Sequence, residues 1–105
     1  MASELLLAGL LACQHSTFFK IAAKRRTDAT VQAIDGEIHF ADGDISAIRV
    51  AFTIGAPDSV ADAAIQTLLK LTDKSCTISQ VLNVPVEATY KRVAPAAPAA
   101  KASSR

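Results

Sequence analysis

The sequence carries almost no net charge and few residues of the kinds that bind metals or phosphates. Eleven lysines and arginines oppose ten aspartates and glutamates, so we expect no general electrostatic attraction to nucleic acid or to an anionic membrane. The two cysteines and two histidines do not stand at the spacing of a zinc site. There is also no glycine-rich phosphate loop. We therefore predict no metal, no cofactor and no nucleic-acid partner.

The chain is short and rich in apolar residues. Its 105 residues make one domain, and residues 94–105 are mainly alanine, proline and serine, too poor in large side chains to add to a core. We predict a folded domain over residues 1–93 and a disordered tail over 94–105. A domain of this size buries a modest fraction of its surface. Because 50% of the residues are hydrophobic, some of the apolar surface is expected to meet another subunit.

An export signal or a membrane span would have to lie in the apolar run near the N-terminus. Residues 10–13, Leu-Leu-Ala-Cys, resemble the end of a bacterial lipoprotein signal. Such a signal begins with positive charge, whereas here Glu4 directly precedes the leucines. The run stops at Gln14, short of the roughly 20 apolar residues that cross a bilayer. We therefore predict a cytoplasmic protein without a membrane partner, a setting that disfavours a persistent structural disulfide.

A long helix is predicted for this N-terminal part of the chain. Ser3 is a candidate N-cap, and Glu4 places a carboxylate at the positive end of the helix dipole. Lysine and arginine follow at residues 24–26, where cations suit the carboxyl end, so the helix should cover about residues 3–25. Large apolar side chains surround most of it instead of forming one stripe, which is typical of a helix buried on several sides. We expect a central helix of a dimer.

The rest of the sequence predicts a β-hairpin, a second helix and a final strand, and hence an α+β fold. The predicted elements are strands at about 29–40 and 45–54, a helix at 60–75, a short helical turn at 77–82 and a strand at 84–93. Asp42-Gly43 is the expected hairpin turn, which leaves Gly36 as a candidate bulge. Asp58 or Ser59 is the expected cap of the second helix.

Cys13 and Cys76 are the pair with obvious reactive potential. A structural disulfide, two buried thiols and a redox pair all remain open from the residues alone. A cysteine among leucines is most often a small buried hydrophobe. On a helix His15 points to nearly the opposite side from Cys13, which excludes a cysteine–histidine pair within this segment. Spacing does not prove that the fold brings the two cysteines within disulfide reach.

Two segments of the chain resemble one known family. The first is Glu-Leu-Leu-Leu-Ala with a cysteine closing the same run, from Glu4 to Cys13, and the second is Lys-x-Cys-x-x-Ser, from Lys74 to Ser79. In this order and separation, the chain from Ser3 to about Val93 resembles the osmotically inducible protein C and organic hydroperoxide resistance proteins, the OsmC/Ohr family. The resemblance implies an intertwined OsmC-like homodimer with two long central helices and active sites at the subunit interface.

The resemblance also implies an enzyme. Cys13 matches the peroxidatic thiol and Cys76 the resolving one, so the implied reaction reduces an organic hydroperoxide to its alcohol, and a dithiol reductant resets the protein. Glu4 is a further candidate catalytic residue, one position later than the family's glutamate; its alternative role is first-turn charge. The alternative function is a non-enzymatic OsmC-like dimer that binds a small hydrophobic molecule at its interface.

The chain departs from the family pattern at two places near the implied site. Family members usually begin with additional strands that supply an arginine to the active site, whereas this sequence starts at the helix, so no arginine here matches that position. Thr77 stands where the family commonly has a proline after the second cysteine. Arg25, Arg26, Arg49 and Arg92 are present, but nothing in the sequence places any of them against Cys13, so that role is not assigned.

Overall fold

The computed structural model describes residues 2–95, with side chains from residue 4 onward. Its elements in that range are α1 (Ala2–Lys24), β1 (Thr30–Ala41), β2 (Asp44–Gly55), α2 (Asp62–Ser75), α3 (Thr77–Val81) and β3 (Val86–Val93). The predicted α+β class and the predicted order of elements are confirmed. Because α1 begins at Ala2, Ser3 lies inside the helix and its prediction as the N-cap is wrong. The predicted disordered tail falls, from residue 96 on, outside the described residues.

The three strands form one mixed sheet with β2 in the middle. β1 pairs with β2 antiparallel, as a hairpin must, and β3 pairs with the other edge of β2 in parallel. A parallel neighbour requires a crossover connection, which α2 and α3 provide. Alternate residues of β2 are buried on the face that the helices cover, namely Ile48, Val50, Phe52 and Ile54.

The hydrophobic core lies between this face of the sheet and the two long helices. Leu10 and Phe18 of α1 are fully buried, and the rings of Phe18 and Phe52 have centroids 5.9 Å apart, a favourable separation for an aromatic pair. The expected burial of α1 on several sides does not hold within one chain. Leu5 is 77% exposed and Phe19 67% exposed, so one side of α1 packs on the core and the opposite side keeps apolar groups at the surface.

The hairpin turn is where the sequence predicts it, but Gly36 does not form a bulge. Asp42 and Gly43 have φ values of 55° and 84°, the left-handed conformation that a two-residue hairpin turn requires. Gly36 pairs with Val50 in regular register, and the irregularities lie at Val31/Ala33 and His39/Phe40. Glycine is needed at position 36 because a Cβ there would lie 2.7 Å from Leu7 Cδ1 and 3.0 Å from Leu11 Cδ2. The sequence shows the glycine, but only the packing of α1 on β1 explains it.

The predicted cap of α2 is also wrong. The N-cap is Ala61, without a side-chain hydrogen bond. The loop before it is held instead by Arg92 of β3, whose Nη2 donates to the carbonyl oxygen of Pro57 at 2.8 Å and whose Nη1 donates to Asp62 Oδ1 at 2.9 Å. Hydrogen bonds from Arg92, and a further one from Tyr90, lower the pKa of the Asp62 carboxyl. A cation from a neighbouring strand thus takes the place of a capping side chain.

The helix segment Glu4–Lys24 has the length and composition of a membrane span, with a mean hydropathy of 1.4. The sequence prediction counted only the apolar run, which ends at Gln14. The whole helix, in contrast, is long enough to cross a bilayer. Core helices of soluble proteins and signal sequences meet the same criteria, so length and composition do not assign α1 to a membrane.

The close approach at Gly36 gives the first prediction. We expect Gly36→Val to lower the free energy of unfolding by about 1–3 kcal/mol, the usual cost of inserting methyl groups where there is no room. Ala33→Val on the same strand, at an exposed position, is the matched control and should change stability little. Urea denaturation of both variants measures the difference, and equal midpoints would contradict the packing of α1 on β1.

Candidate active site

The two cysteines come from separate elements and meet at one point. Cys13 lies in the middle of α1, and Cys76 is the residue between α2 and α3, where it is the C-cap of one helix and the N-cap of the next. Their sulfur atoms are 2.7 Å apart. Both are free thiols; Cys76 is fully buried, while Cys13 is half-buried. The fold therefore brings together the two residues whose proximity the sequence could not establish.

The packing of α3 on α1 explains this meeting. Gly9, Cys13 and Thr17 recur at one-turn intervals along α1, so small side chains line the strip that faces α3. A Cβ at Gly9 would lie 3.6 Å from Ile78 Cδ1, which is ordinary van der Waals contact. Ser16, one position before Thr17, is exposed and lies outside this contact. The backbone that approaches the seam of small residues is that of α3 in the same chain.

The surroundings of Cys13 favour its thiolate. Partial burial acts to raise the pKa of this thiol, but four hydrogen bonds outweigh burial and leave the pKa below its ordinary value. The donors are the Cys76 thiol, the backbone N–H of Ile78, the Thr17 hydroxyl and the backbone N–H of Thr77. The two backbone donors are the first of α3, where an N–H has no carbonyl partner within the helix. The start of α3 thus supplies donors directly to the half-buried sulfur of Cys13.

Cys76 has the opposite tendency. Its complete burial and its contact with Cys13 raise the pKa of its thiol, and only the backbone N–H and hydroxyl of Ser79 act in the other direction. Cys76 therefore keeps its proton and donates it in a hydrogen bond to Cys13. One sulfur is half-buried and favours its thiolate, and the other is fully buried and keeps its proton. A two-cysteine redox site needs this difference between its thiols.

Cys13 opens onto a surface depression of about 390 Å³. The other lining residues are Ser16, Thr17, Lys20, Ile21, Lys24, Ser75 and Thr77. Among the described residues, the cations at this depression are thus lysines. Arg49 is paired with Glu87 at 3.1 Å and Arg92 with Asp62 at 2.9 Å, so neither supplies the arginine that the family resemblance implies. Hydrogen-bond donors, and not an arginine, stabilise the thiolate within this chain.

Glu4 is not beside the sulfurs. It lies in the first turn of α1 and is exposed, nine residues before Cys13, which is about 13 Å along a helix that rises 1.5 Å per residue. Within residues 2–95 no group of three or more His, Cys, Asp or Glu side chains could hold a metal ion. The site in the described chain is therefore a thiol site built by α1 and α3.

Sequence reasoning missed a buried polar pair behind the sulfurs. Gln14 Nε2 donates to Ser79 Oγ at 2.9 Å, and both residues are buried, with 1% and 9% exposure. A signal was available, because Gln14 lies one turn from both Leu10 and Phe18 and so occupies the buried face of α1. A polar residue in the middle of such a face usually has a specific partner.

The comparison with known families decides the identity of the fold. The sequence model of OsmC-like proteins matches residues 2–91. This chain belongs to the OsmC-like family. No curated protein sequence matches it. At the level of the family, this membership supports a peroxiredoxin-like role. Proteins of the OsmC/Ohr family are typically homodimers.

Several solved OsmC-like structures share the fold. The OsmC-like protein from Mycoplasma pneumoniae has a TM-score of 0.69 at 17% identity, over 85% of this chain and 69% of that one. The organic hydroperoxide resistance protein OhrB of Bacillus subtilis has a TM-score of 0.60 at 23% identity, over 83% and 67%. An OsmC-like protein of unknown function from Vibrio cholerae has a TM-score of 0.65 at 18% identity, over 84% and 62%. The chain thus spans less than two thirds of the length of the Vibrio cholerae protein. Sequence identities this low establish only that the fold is shared.

The hydrogen bond from Thr17 to Cys13 gives the second prediction. Thr17→Val removes a donor to the thiolate, so the pKa of Cys13 should rise and its alkylation near neutral pH should slow about two- to tenfold. At high pH, where both proteins are fully ionised at this position, the rates should converge. Ser16→Ala, in the same depression, is the matched control. Mass spectrometry of Cys13 alkylation against pH measures the effect, and coincident profiles for Thr17→Val and the parent would contradict the assigned donor.

Proposed function

We propose that this OsmC-like protein is a thiol-dependent peroxidase that reduces organic hydroperoxides. The observation that carries the proposal is the contact of 2.7 Å between the sulfurs of Cys13 and Cys76, with a lowered pKa on the exposed one. Two inert packing cysteines need no such asymmetry. Family membership supports the same chemistry at a coarser level, since relatives of this fold include organic hydroperoxide resistance proteins.

In the first step the Cys13 thiolate attacks the terminal oxygen of the hydroperoxide. A sulfur–oxygen bond forms as the oxygen–oxygen bond breaks, and the leaving alkoxide takes up a proton to become the alcohol. Sulfur is oxidised by two electrons, to a sulfenic acid. The depression beside Cys13 is the approach for the peroxide, and Lys20 and Lys24 place positive charge at its edge.

In the second step Cys76 resolves the sulfenic acid. The Cys76 sulfur attacks Cys13, the sulfur–sulfur bond forms, and hydroxide leaves and combines with the Cys76 proton as water. The two sulfurs need only a small further approach, because a disulfide bond is about 2.05 Å long. A dithiol reductant then exchanges with this disulfide, so that its own disulfide forms and both cysteines return to thiols. Such a cycle suits a reducing compartment such as the cytoplasm, which remains part of the proposal.

The alternative, a binding protein for small hydrophobic molecules, has less support from the site. Six of the eight residues that line the depression are serine, threonine or lysine, whereas pockets for apolar ligands are lined mainly by apolar side chains. The alternative also gives no role to the hydrogen bonds that stabilise the Cys13 thiolate.

The homodimer is part of the same proposal. The surface side of α1 exposes Leu5, Ala8, Ala12, Phe19 and Ala23, a helical stripe of apolar and small residues. Monomeric proteins rarely leave such a stripe uncovered, and a second copy related by a two-fold axis would bury it against itself. We infer that α1 packs there on α1 of the partner.

The third prediction tests the reaction. One equivalent of tert-butyl hydroperoxide should remove both titratable thiols of each chain, and dithiothreitol should restore them. In Cys13→Ser the remaining thiol should survive. In Cys76→Ser, Cys13 should stop at the sulfenic acid, which dimedone traps and mass spectrometry detects. If both thiols of the parent persist, the peroxidase proposal is wrong, and the alternative of a binding protein for small hydrophobic molecules replaces it.

The fourth prediction tests the dimer. Phe19→Glu places a charge within the exposed stripe, so we expect the sedimentation coefficient to fall from that of a dimer to that of a monomer at micromolar concentration. Lys70→Glu, an exposed change on α2, is the control and should leave the dimer intact. A parent protein that sediments as a monomer, or a dimer insensitive to Phe19→Glu, would overturn this interface.

A further inference from the structure

The buried pair of Gln14 and Ser79 lies directly behind the resolving cysteine and has no part in the steps described so far. Gln14 of α1 is 1% exposed and donates from Nε2 to Ser79 Oγ of α3 at 2.9 Å. Burying an amide stabilises a protein less than burying an apolar side chain of the same size, and it requires a partner. Among the described residues, no buried side-chain nitrogen or oxygen lacks one.

The hydrogen bond from Gln14 limits the directions in which the Ser79 hydroxyl can donate its own hydrogen. A serine hydroxyl has one hydrogen to donate and two lone pairs that accept. Because the Gln14 amide occupies an accepting position, the single hydrogen of Ser79 is directed elsewhere. Ser79 lies one turn after Cys76, the N-cap of α3, and its hydroxyl and backbone N–H are the groups that act to lower the pKa of the Cys76 thiol. Gln14, Ser79 and Cys76 therefore follow one another in space, and the hydrogen of the Ser79 hydroxyl is available to a Cys76 sulfur that becomes ionised.

We propose that Gln14 is a positioning residue for the resolving cysteine: it holds the Ser79 hydroxyl oxygen so that the hydroxyl donates to the Cys76 sulfur whenever that sulfur carries negative charge. The inference rests on the proposed peroxidase function for its role in turnover. The arrangement of the three residues does not depend on that function.

Negative charge develops on Cys76 at two moments of the cycle. It develops first as Cys76 gives up its proton and attacks the Cys13 sulfenic acid. It develops again in reduction, when a thiolate of the dithiol attacks the Cys13 sulfur, a mixed disulfide forms and Cys76 leaves as a thiolate. A donor aimed at Cys76 favours both steps, because a better stabilised thiolate leaves faster. Formation of the sulfenic acid depends on the donors to Cys13, and neither Gln14 nor Ser79 is one of them, so this step should change far less.

The test uses Gln14→Met, which keeps the size of the side chain and removes the amide. In a Cys13→Ser background Cys76 is the protein's one thiol, and the ultraviolet absorbance of its thiolate reports its titration directly. Gln14→Met should move this titration to higher pH. Ser79→Ala should do the same, and Ser79→Thr, which keeps a hydroxyl, should restore the parent curve. Adding Gln14→Met to Ser79→Ala should produce no further shift, since Gln14 acts through the hydroxyl.

The matched control is Gln80→Met. Gln80 also belongs to α3, but it is exposed and its Nε2 donates to the carbonyl oxygen of Asp73 at 2.8 Å, away from the sulfurs. This variant should titrate like the parent. In the protein with both cysteines, stopped-flow kinetics should show an unchanged sulfenic-acid phase for Gln14→Met and a disulfide phase slower by roughly three- to tenfold, with more overoxidised Cys13 in each turnover.

The outcomes separate this inference from the proposed function. If the parent does not react with hydroperoxides, the peroxidase fails, yet the titration of Cys76 still decides whether Gln14 acts on it. Equal shifts from Gln14→Met and Gln80→Met, no shift from either Gln14→Met or Ser79→Ala, or additive shifts in the double variant would each overturn the positioning role. If Gln14→Met does not fold, as circular dichroism would show, the Ser79→Ala and Ser79→Thr pair decides: equal titrations for the two would overturn it.

Discussion

The contact of the start of α3 with the middle of α1 is the interaction on which the site depends. It places Cys76 against Cys13 and directs the first backbone N–H groups of α3 toward the Cys13 sulfur. The contact is possible because the facing strip of α1 consists of small side chains. The core holds it in place, since α2, which leads into Cys76, packs against α1 over the buried face of the sheet.

The difference between the two sulfurs follows from their depth, and no full charge is required beside them. Hydrogen bonds to an ionised acceptor contribute about 1.5–3 kcal/mol each, so several neutral donors offset the partial burial of Cys13. Cys76 is fully buried and contacts the Cys13 sulfur, whose ionised form repels a second negative charge, so the protonated form of Cys76 is favoured. Two arginines of the described chain are paired elsewhere, Arg49 with Glu87 and Arg92 with the loop before α2, and no arginine is among the groups that shift the pKa of Cys13. In this chain the orientation of short polar groups thus substitutes for an arginine at the thiol.

The local sequence pattern was sufficient to predict the helices and strands, but it did not predict the contacts between them. Alternation and helical periodicity predict each helix and strand, and Asp42-Gly43 marks the hairpin turn because few other residue pairs adopt two positive φ values. The reason for Gly36, the start of α2 and the pairing of Gln14 with Ser79 are properties of tertiary packing, so no local pattern reveals them. The meeting of Cys13 and Cys76 belongs to the same class: it depends on the crossover that returns the chain beside α1, and only family resemblance anticipated it.

The composition of α1 fits a membrane span, but its interactions in the fold compete with that role. Leu10 and Phe18 are fully buried against the sheet and α2, and Gln14, on the same face, has its partner in Ser79. Moving α1 into a bilayer would expose the apolar face of the sheet to water and would leave the Gln14 amide in hydrocarbon without a partner. The two states therefore exclude one another. The stripe from Leu5 to Ala23 on the opposite side gives α1 its remaining apolar character, and in the proposed dimer a partner helix would cover that stripe without disturbing the face that builds the thiol site.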